Sequence, residues 1–353
     1  MTTWYRSRAP LRLGLAGGGT DVSPYSDQFG GCVLNATIDL FSYCSLSSRC
    51  DDQVHFAATD LNESFIGSAE NLHSTDHALS LHSTVYDVIV HKFNKGIPLP
   101  CNMVTYSDAP AGSGLGASST LVVAMLGAFK EWLHLPLGEY EIARLAFEIE
   151  RVTLSLAGGK QDQYAAAVGG FNFMEFLPSD EVIVSPLKIN ESIINELQLS
   201  LVLYYTGASR NSSQIIAEQI NNVKTGVVAS VEAMHEIKKN AFAMKEHLLQ
   251  GNLKAFSEGL NSSWESKKVM SSVVSNNQIE AVFEVAMKAG ALAGKVSGAG
   301  GGGYIMFMVD PCSRMELIRA LEQLNGSVQH FNFTSLGIET WRSNSLIDVS
   351  SII

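Results

Sequence analysis

Asp108-Ala109-Pro110-Ala111-Gly112-Ser113-Gly114-Leu115-Gly116-Ala117-Ser118-Ser119-Thr120 is the stretch whose reading decides the fold. Asn102 to Tyr106 precedes it and reads as a strand. Leu121 to Leu133, a run of Ala, Leu, Val and Met, follows it and reads as a helix. Glycines at 112, 114 and 116 permit dihedrals closed to other residues and let the backbone approach a ligand closely. A turn of this kind brings free N–H groups and a helix N-terminus to one point, which suits a phosphate. Ser118, Ser119 and Thr120 add hydroxyls that either cap the helix or reach a metal ion on the phosphates. Taken alone, the same residues also describe a tight turn before a structural helix. The segment lacks the Gly-Lys-Ser/Thr ending of a P-loop, and its glycines fall at every second position rather than as GxGxxG.

Two further glycine clusters lie far away in the chain. Ser297-Gly298-Ala299-Gly300-Gly301-Gly302-Gly303 precedes an apolar strand, Tyr304 to Val309, and presents backbone rather than side chains to whatever it meets. Gly17-Gly18-Gly19-Thr20-Asp21 follows the first strand, Trp4 to Leu15, and places a carboxylate at a strand end.

Around these clusters the chain alternates short strands and helices. Further strands are expected at Cys32–Leu46, Gln53–Ala58, Glu63–Ile66, Phe171–Phe176, Val182–Pro186 and Leu199–Tyr205, with two more closing the chain. Helices are expected at His77–Phe93, Tyr140–Val152, Lys160–Val168, 212–223, 226–250, 252–269, 277–289 and Cys312–Leu324. Without strict βαβ alternation this is an α+β pattern. The length of 353 residues exceeds what one core usually holds, so two lobes are expected. Pro178 and Pro186 put the boundary near 177–198, giving an N-terminal domain of 1–185 and a C-terminal domain of 186–353.

Composition narrows the function classes. With 46% hydrophobic and 17% charged residues the chain is neither disordered nor fibrous. A net charge of −11 and the lack of any basic cluster argue against nucleic acid as a partner. No apolar run is long enough for a membrane helix, and the N-terminus lacks the pattern of a secretory signal. Cys32, Cys44, Cys50, Cys101 and Cys312 are odd in number and show no metal spacing, so buried free thiols in a reducing cytoplasm are expected. An anionic ligand must then be held by local donors rather than by the overall field.

Together, Ala9-Pro10-Leu11-Arg12, Pro110 to Thr120 and Lys295 to Gly303 resemble, in order and spacing, the three signature motifs of the GHMP small-molecule kinases. The resemblance covers roughly residues 5–310. Ala117 departs from it, standing where many members have Ser. The resemblance implies a two-lobed GHMP kinase fold with the active site in the cleft between lobes, and ATP and Mg2+ as cofactors. It assigns Pro110, Gly112, Ser113, Gly114, Leu115, Gly116, Ala117, Ser118 and Ser119 to the nucleotide, and Ser118 and Glu150 to the metal. It assigns Asp162 and its basic neighbour Arg12 to catalysis at the acceptor hydroxyl. The Gly-Gly-Gly-Thr-Asp stretch replaces the Glu-His of other members and is similar to the branch that phosphorylates sugars at C1. Gly18, Gly19, Thr20, Asp21, Gly300 and Gly301 then face the sugar.

The acceptor this implies is D-glycero-D-manno-heptose 7-phosphate, with an unphosphorylated sugar of the L-fucose or galactose type as the alternative. A non-catalytic sugar and ATP sensor is a second alternative, and a decarboxylase of the mevalonate branch a third. For a substrate phosphate the candidate donors are Lys160 and Arg210, the latter at a helix start among hydroxyls. A small-molecule substrate and a monomer or homodimer complete the expectation.

Overall fold

A computed structural model describes residues 2–70, 78–207 and 212–344. Arg210 therefore lies outside the described residues.

The first half forms one large sheet under a layer of helices. Its elements are β1 (Thr3–Ala16), α1 (Tyr25–Phe29), β2 (Gly31–Ser48), β3 (Gln53–Ala58), β4 (Glu63–Ser68), α2 (Ser80–Phe93) and β5 (Cys101–Ser107). They continue with α3 (Ala117–Leu133), α4 (Glu139–Phe147), α5 (Gln161–Val168), β6 (Phe171–Phe176) and β7 (Val182–Pro186). The second half adds α6 (Glu191–Ser200), β8 (Leu201–Tyr205), α7 (Ser212–Lys224), α8 (Val228–Leu249), α9 (Leu253–Met270) and α10 (Asn277–Lys288). It closes with β9 (Ala291–Val296), β10 (Tyr304–Val309), α11 (Arg314–Leu321), β11 (Ser327–Gln329) and β12 (Glu339–Asn344).

Eight strands make the first sheet, in the order β12-β1-β2-β5-β3-β4, with β6 and β7 continuing from β2. Every pair is antiparallel except β3 with β5. β2 is long enough to serve two partners, pairing Gly31–Ala36 with β6 and Ser42–Ser48 with β5. The second sheet is four-stranded, β11-β8-β10-β9, and antiparallel throughout. This is the expected α+β class. The last strand returns to the first sheet, where Thr3 to Arg8 pair with Asn344 to Glu339. Residues 333–344 thus lie against the N-terminal sheet rather than with the rest of the second half.

β1 shows why the layers form. Its residues Ala9 to Ala16 are all buried, so both faces are covered. Leu11, Leu13 and Leu15 project to one side, into an apolar cluster shared with Leu201 and Leu203 of β8 and Met244 of α8. That cluster is where the two halves meet. Arg12 projects to the other side, where β1 carries register shifts between Pro10 and Arg12 and between Gly14 and Ala16. Bulges of this kind re-aim side chains.

Several local expectations needed correction. The helix expected at Tyr140–Val152 is α4 followed by a wide π-turn, Glu148–Thr153. The strand expected from Leu199 begins at Leu201, because α6, which the sequence reading lacked, runs to Ser200 behind an Asn190 cap. The helix expected at Cys312–Leu324 is a short 3-10 turn, Pro311–Ser313, and then α11. The five cysteines are free as expected, but Cys50 and Cys312 are exposed, since both lie in turns rather than in strands.

Leu13 is fully buried in the shared cluster. Leu13→Ala is expected to lower the unfolding free energy by about 2–5 kcal/mol. Urea titrations followed by tryptophan fluorescence and by far-UV dichroism check this, and both probes are expected to shift together because the cluster joins the halves.

Candidate active site

The glycine clusters of the sequence meet in one place. A Cβ on Gly114 would lie 2.5 Å from the Ser297 carbonyl oxygen, and one on Gly298 would lie 2.6 Å from the Gly114 Cα. Both residues also have positive φ, 86° and 66°. The two stretches touch backbone to backbone, which only glycine permits. Donors from both halves hold the loop. Arg12 N donates to the Leu115 carbonyl and Tyr304 N to the Ser113 carbonyl (3.1 and 2.9 Å). Ser297 Oγ and Arg12 Nη1 both donate to the Gly114 carbonyl (2.8 and 2.6 Å). α3 then starts at Ala117, with Gly116 in the left-handed region and no side-chain cap on its first turn. Its leading N–H groups face a cavity of about 480 Å³.

Arg12, buried on β1, crosses to α5. Its Nε donates to Asp162 Oδ1 at 2.7 Å, and its Nη2 lies 2.6 Å from the same oxygen. Beside this pair Glu150 is fully buried in the π-turn. Its carboxylate accepts from Ser118 Oγ (3.1 Å) and Gln163 Nε2 (2.6 Å). The π-turn brings the adjacent Glu150 and Arg151 both to the cavity wall. Arg151 reaches Ser119 Oγ and the Gly159 carbonyl, each at 3.4 Å.

On the far wall Asp21 accepts from Gly19 N (3.1 Å), Gln161 N (3.2 Å) and Gln161 Nε2 (3.3 Å). Gly159 makes the approach possible, since a Cβ there would sit 1.9 Å from Asp21 Oδ2. Burial, and secondarily the Asp162 charge, push the Asp21 carboxyl above its ordinary value.

The second half supplies α7 and α9. Gln219 of α7 is buried against Gly19, and its Nε2 has no partner among the described residues. Lys267 of α9 is buried, and its Nζ donates to the Gly298 carbonyl. Burial first and Arg12 second lower its pKa to about 8, with Asp21 opposing.

Arg12, Gly18, Gly19, Asp21, Gly112, Gly114, Gly116, Ala117, Ser118, Ser119, Glu150, Asp162 and Gly300 all line the cavity. Other expected residues lie elsewhere. Leu115 plugs the shared core, and Ser113 is buried beneath the loop. Pro110 is exposed at the loop's outer turn. Thr20 pins its loop to β2, its hydroxyl donating to the Gly17 and Cys32 carbonyls. Gly301 N is used by the Val274 carbonyl (2.7 Å). Lys160 turns away from the cavity: its ammonium pairs with Asp180 and lies 5.4 Å over the Phe147 ring. The Thr20 hydroxyl and the Lys160 ammonium are each engaged by other groups of the protein, and the Ser113 hydroxyl is buried with no partner among the described residues. Arg151, Gln163 and Gln219 were not expected, although Arg151 and Gln163 stand beside Glu150 and Asp162; Lys267 could reach the cleft from its helix, but nothing in the sequence raised it above a core or surface residue.

The donor set suits a hard divalent cation. Ser118 and Glu150 offer a hydroxyl and a carboxylate side by side at the cavity wall. Among the described residues no cluster of three or more metal-binding side chains occurs. Mg2+ ordinarily takes one or two carboxylates and completes its shell with phosphates and water, so this set fits it.

Comparison with known proteins agrees with this geometry. Family profiles described as GHMP kinases N terminal domain and GHMP kinases C terminal match residues 80–170 and 244–326. D-glycero-alpha-D-manno-heptose 7-phosphate kinase of Campylobacter jejuni is 48% identical over 96% of this chain and 98% of its own length. The crystal structure of a D-glycero-D-manno-heptose 1-phosphate kinase from Bacteroides thetaiotaomicron matches with a TM-score of 0.82 at 46% identity, covering 97% of this chain and 100% of that one. Lactococcus lactis galactokinase, solved with galactose, shares the fold at 18% identity, with a TM-score of 0.74 over 95% of each chain.

Gly298→Ala forces a side chain into both a left-handed backbone and the Gly114 Cα. It is expected to lower stability by about 1–3 kcal/mol and to weaken nucleotide binding. Thermal melts with and without ADP measure both effects; a ligand-induced shift equal to that of the wild-type protein would contradict the role of this contact.

Proposed function

The chain belongs to the GHMP kinase family, and on that premise we propose that it transfers the γ-phosphoryl group of ATP to the anomeric C1 hydroxyl of D-glycero-D-manno-heptose 7-phosphate. It is a sugar kinase, a phosphotransferase with an alcohol acceptor. The observation that carries the reading is the Arg12–Asp162 pair in the wall of a cavity whose other wall is the 112–116 loop. Its relatives' names, a 7-phosphate kinase and a 1-phosphate kinase, differ over the position of the existing phosphate. Transfer to the anomeric hydroxyl needs C1 free, which fits an acceptor carrying its phosphate at C7.

The residues divide the work. The loop amides and the α3 N-terminus hold the nucleotide phosphates. Ser118 and Glu150 would hold Mg2+, which would supply positive charge against the phosphate oxygens. Asp162 orients the C1 hydroxyl and takes its proton, while Arg12 fixes that carboxylate in place. The anomeric hydroxyl is the most acidic in a sugar, so a carboxylate suffices as its acceptor. A bond forms between the C1 oxygen and the γ-phosphorus as the bond to the β,γ-bridging oxygen breaks, its electron pair leaving on ADP. Asp21 and Gln219 take sugar hydroxyls, the orphaned Gln219 amide gaining an acceptor in doing so.

An unphosphorylated sugar remains the runner-up acceptor. The orientation of Lys160 toward Asp180 favours it, because one expected phosphate donor is engaged elsewhere. A fucokinase of Bacteroides fragilis, named L-fucokinase/L-fucose-1-P guanylyltransferase, is 27% identical over 90% of this chain and 36% of its own length. The free cysteines and the need for ATP support a cytoplasmic enzyme, acting as a monomer or homodimer on a small molecule. No helix among the described residues is long and apolar enough to cross a membrane.

ADP release across a panel of sugars and sugar 7-phosphates tests the acceptor, and phosphorus-coupled NMR of the product tests the position. The heptose 7-phosphate is expected to give the highest kcat/KM, with the new phosphate on C1; fucose or galactose outperforming it would install the runner-up. Asp162→Asn is expected to lower kcat by about 10²–10⁴-fold at unchanged nucleotide affinity. Gln219→Ala is expected to raise the sugar KM by roughly 3–10-fold and leave that of ATP alone.

A further inference from the structure

Two lysines are buried at the junction of the halves, and only one has its position accounted for. Lys295 of β9 donates to the Gly14 and Leu15 carbonyls (2.8 and 3.2 Å) and pins β9 to β1. Lys267 donates to a single carbonyl, that of Gly298, although an ammonium carries three donors. Among the described residues no carboxylate lies within ion-pair distance of it.

The charged groups that face it are few. Arg12 of β1 and Lys295 of β9 repel it, and Asp21 of the loop after β1 attracts it. Arg12 is already neutralised by Asp162, its own ion-pair partner. Asp21 is spoken for by Gly19 and Gln161. Lys267 thus brings an uncompensated positive charge to the cavity wall of a protein whose net charge is −11. A buried charge without a partner is costly, and it persists where a ligand completes the pair.

Its location says which ligand. Gly298, to which Lys267 is bonded, is the residue that touches Gly114 of the phosphate loop. Arg12, whose field lowers the Lys267 pKa, is bonded to both Asp162 and the Gly114 carbonyl. Lys267 therefore stands where the phosphate side of the cavity meets the acceptor side.

We propose that Lys267 is a further catalytic residue, its ammonium binding the non-bridging oxygens of the phosphoryl group during its transfer. The inference rests on the kinase reading above and adds to it a cation from the second half of the chain. Charge on those oxygens is what a transferase has to stabilise, and a preorganised donor in a water-poor site does this well. Adding α9 to the machinery also makes catalysis depend on both halves being in place.

Lys267→Met and Lys267→Arg test this. The Met variant is expected to lose about 10²–10³-fold in kcat, with the sugar KM nearly unchanged, and the Arg variant to recover part of the loss. Wild-type kcat/KM for ATP is expected to fall above pH 8, as Lys267 loses its proton, and the Arg variant to carry activity to higher pH. The sign for stability is opposite. From about 8 to its ordinary 10.5 the folded protein binds fewer protons at Lys267 than the unfolded chain, so stability rises with pH across that window. The Met variant, free of the buried charge, is expected to melt higher than wild type at pH 7, with the gap closing toward pH 10.5.

A binding measurement separates this inference from the choice of acceptor. ADP with aluminium fluoride, a mimic of the transferring phosphoryl group, is expected to bind the Met variant at least tenfold more weakly than wild type, while ADP alone binds both equally. Equal affinity for the mimic overturns the proposal whatever the acceptor proves to be. An effect confined to the KM of phosphorylated sugars also overturns it, because Lys267 would then hold the substrate's own phosphate.

Discussion

The guanidinium of Arg12 is the contact on which the site is built. It is a buried charge, and it has to be paired where it lies. Asp162 from α5 and the Gly114 carbonyl from the phosphate loop both converge on it. One side chain thereby fixes the distance between the group that meets the acceptor and the loop that meets the nucleotide. The β1 bulges aim it, and the apolar face of β1, locked into the core between the halves, prevents it from moving. Reaction geometry is in this sense inherited from the packing of a single strand.

Charge is distributed on the same principle. The protein repels anions at long range, with a net charge of −11. At short range it sets Arg12, Arg151 and Lys267 around one cavity against Glu150, Asp162 and Asp21. Local field rather than overall charge decides what binds, since salt screens the latter within about 10 Å. Low dielectric at the bottom of the cavity strengthens the former.

Much of this was legible in the sequence because glycine clusters are local signals with a stringent physical cause. Gly112 to Gly116 and Gly298 to Gly303 could be recognised separately, and their contact follows from both needing bare backbone. Strands such as Gln53–Ala58 and Val182–Pro186 were readable to the residue from alternation bounded by turns. Other features depended on information no window contains. The π-turn at Glu148–Thr153 has an ordinary helical pattern and is defined by where its backbone bonds go. Lys160 sits in the catalytic segment, yet Asp180, twenty residues further on and beyond β6, takes its charge out of the cavity. Lys267 and Gln219 occupy amphipathic helices in which they read as surface polar residues; only the folding of α7 and α9 over the glycine loops buries them.

The return of β12 to β1 has a consequence for how the molecule is made. The edge of the first sheet stays open, with unpaired backbone groups along Thr3–Arg8, until the ribosome has delivered some three hundred and thirty more residues. Exposed edges of that kind invite pairing with other chains. A nascent chain must therefore shelter this strand until β12 has been made, and the phosphate loop can be clasped by Tyr304 only late in that interval. Competence to react and protection from aggregation are acquired close together.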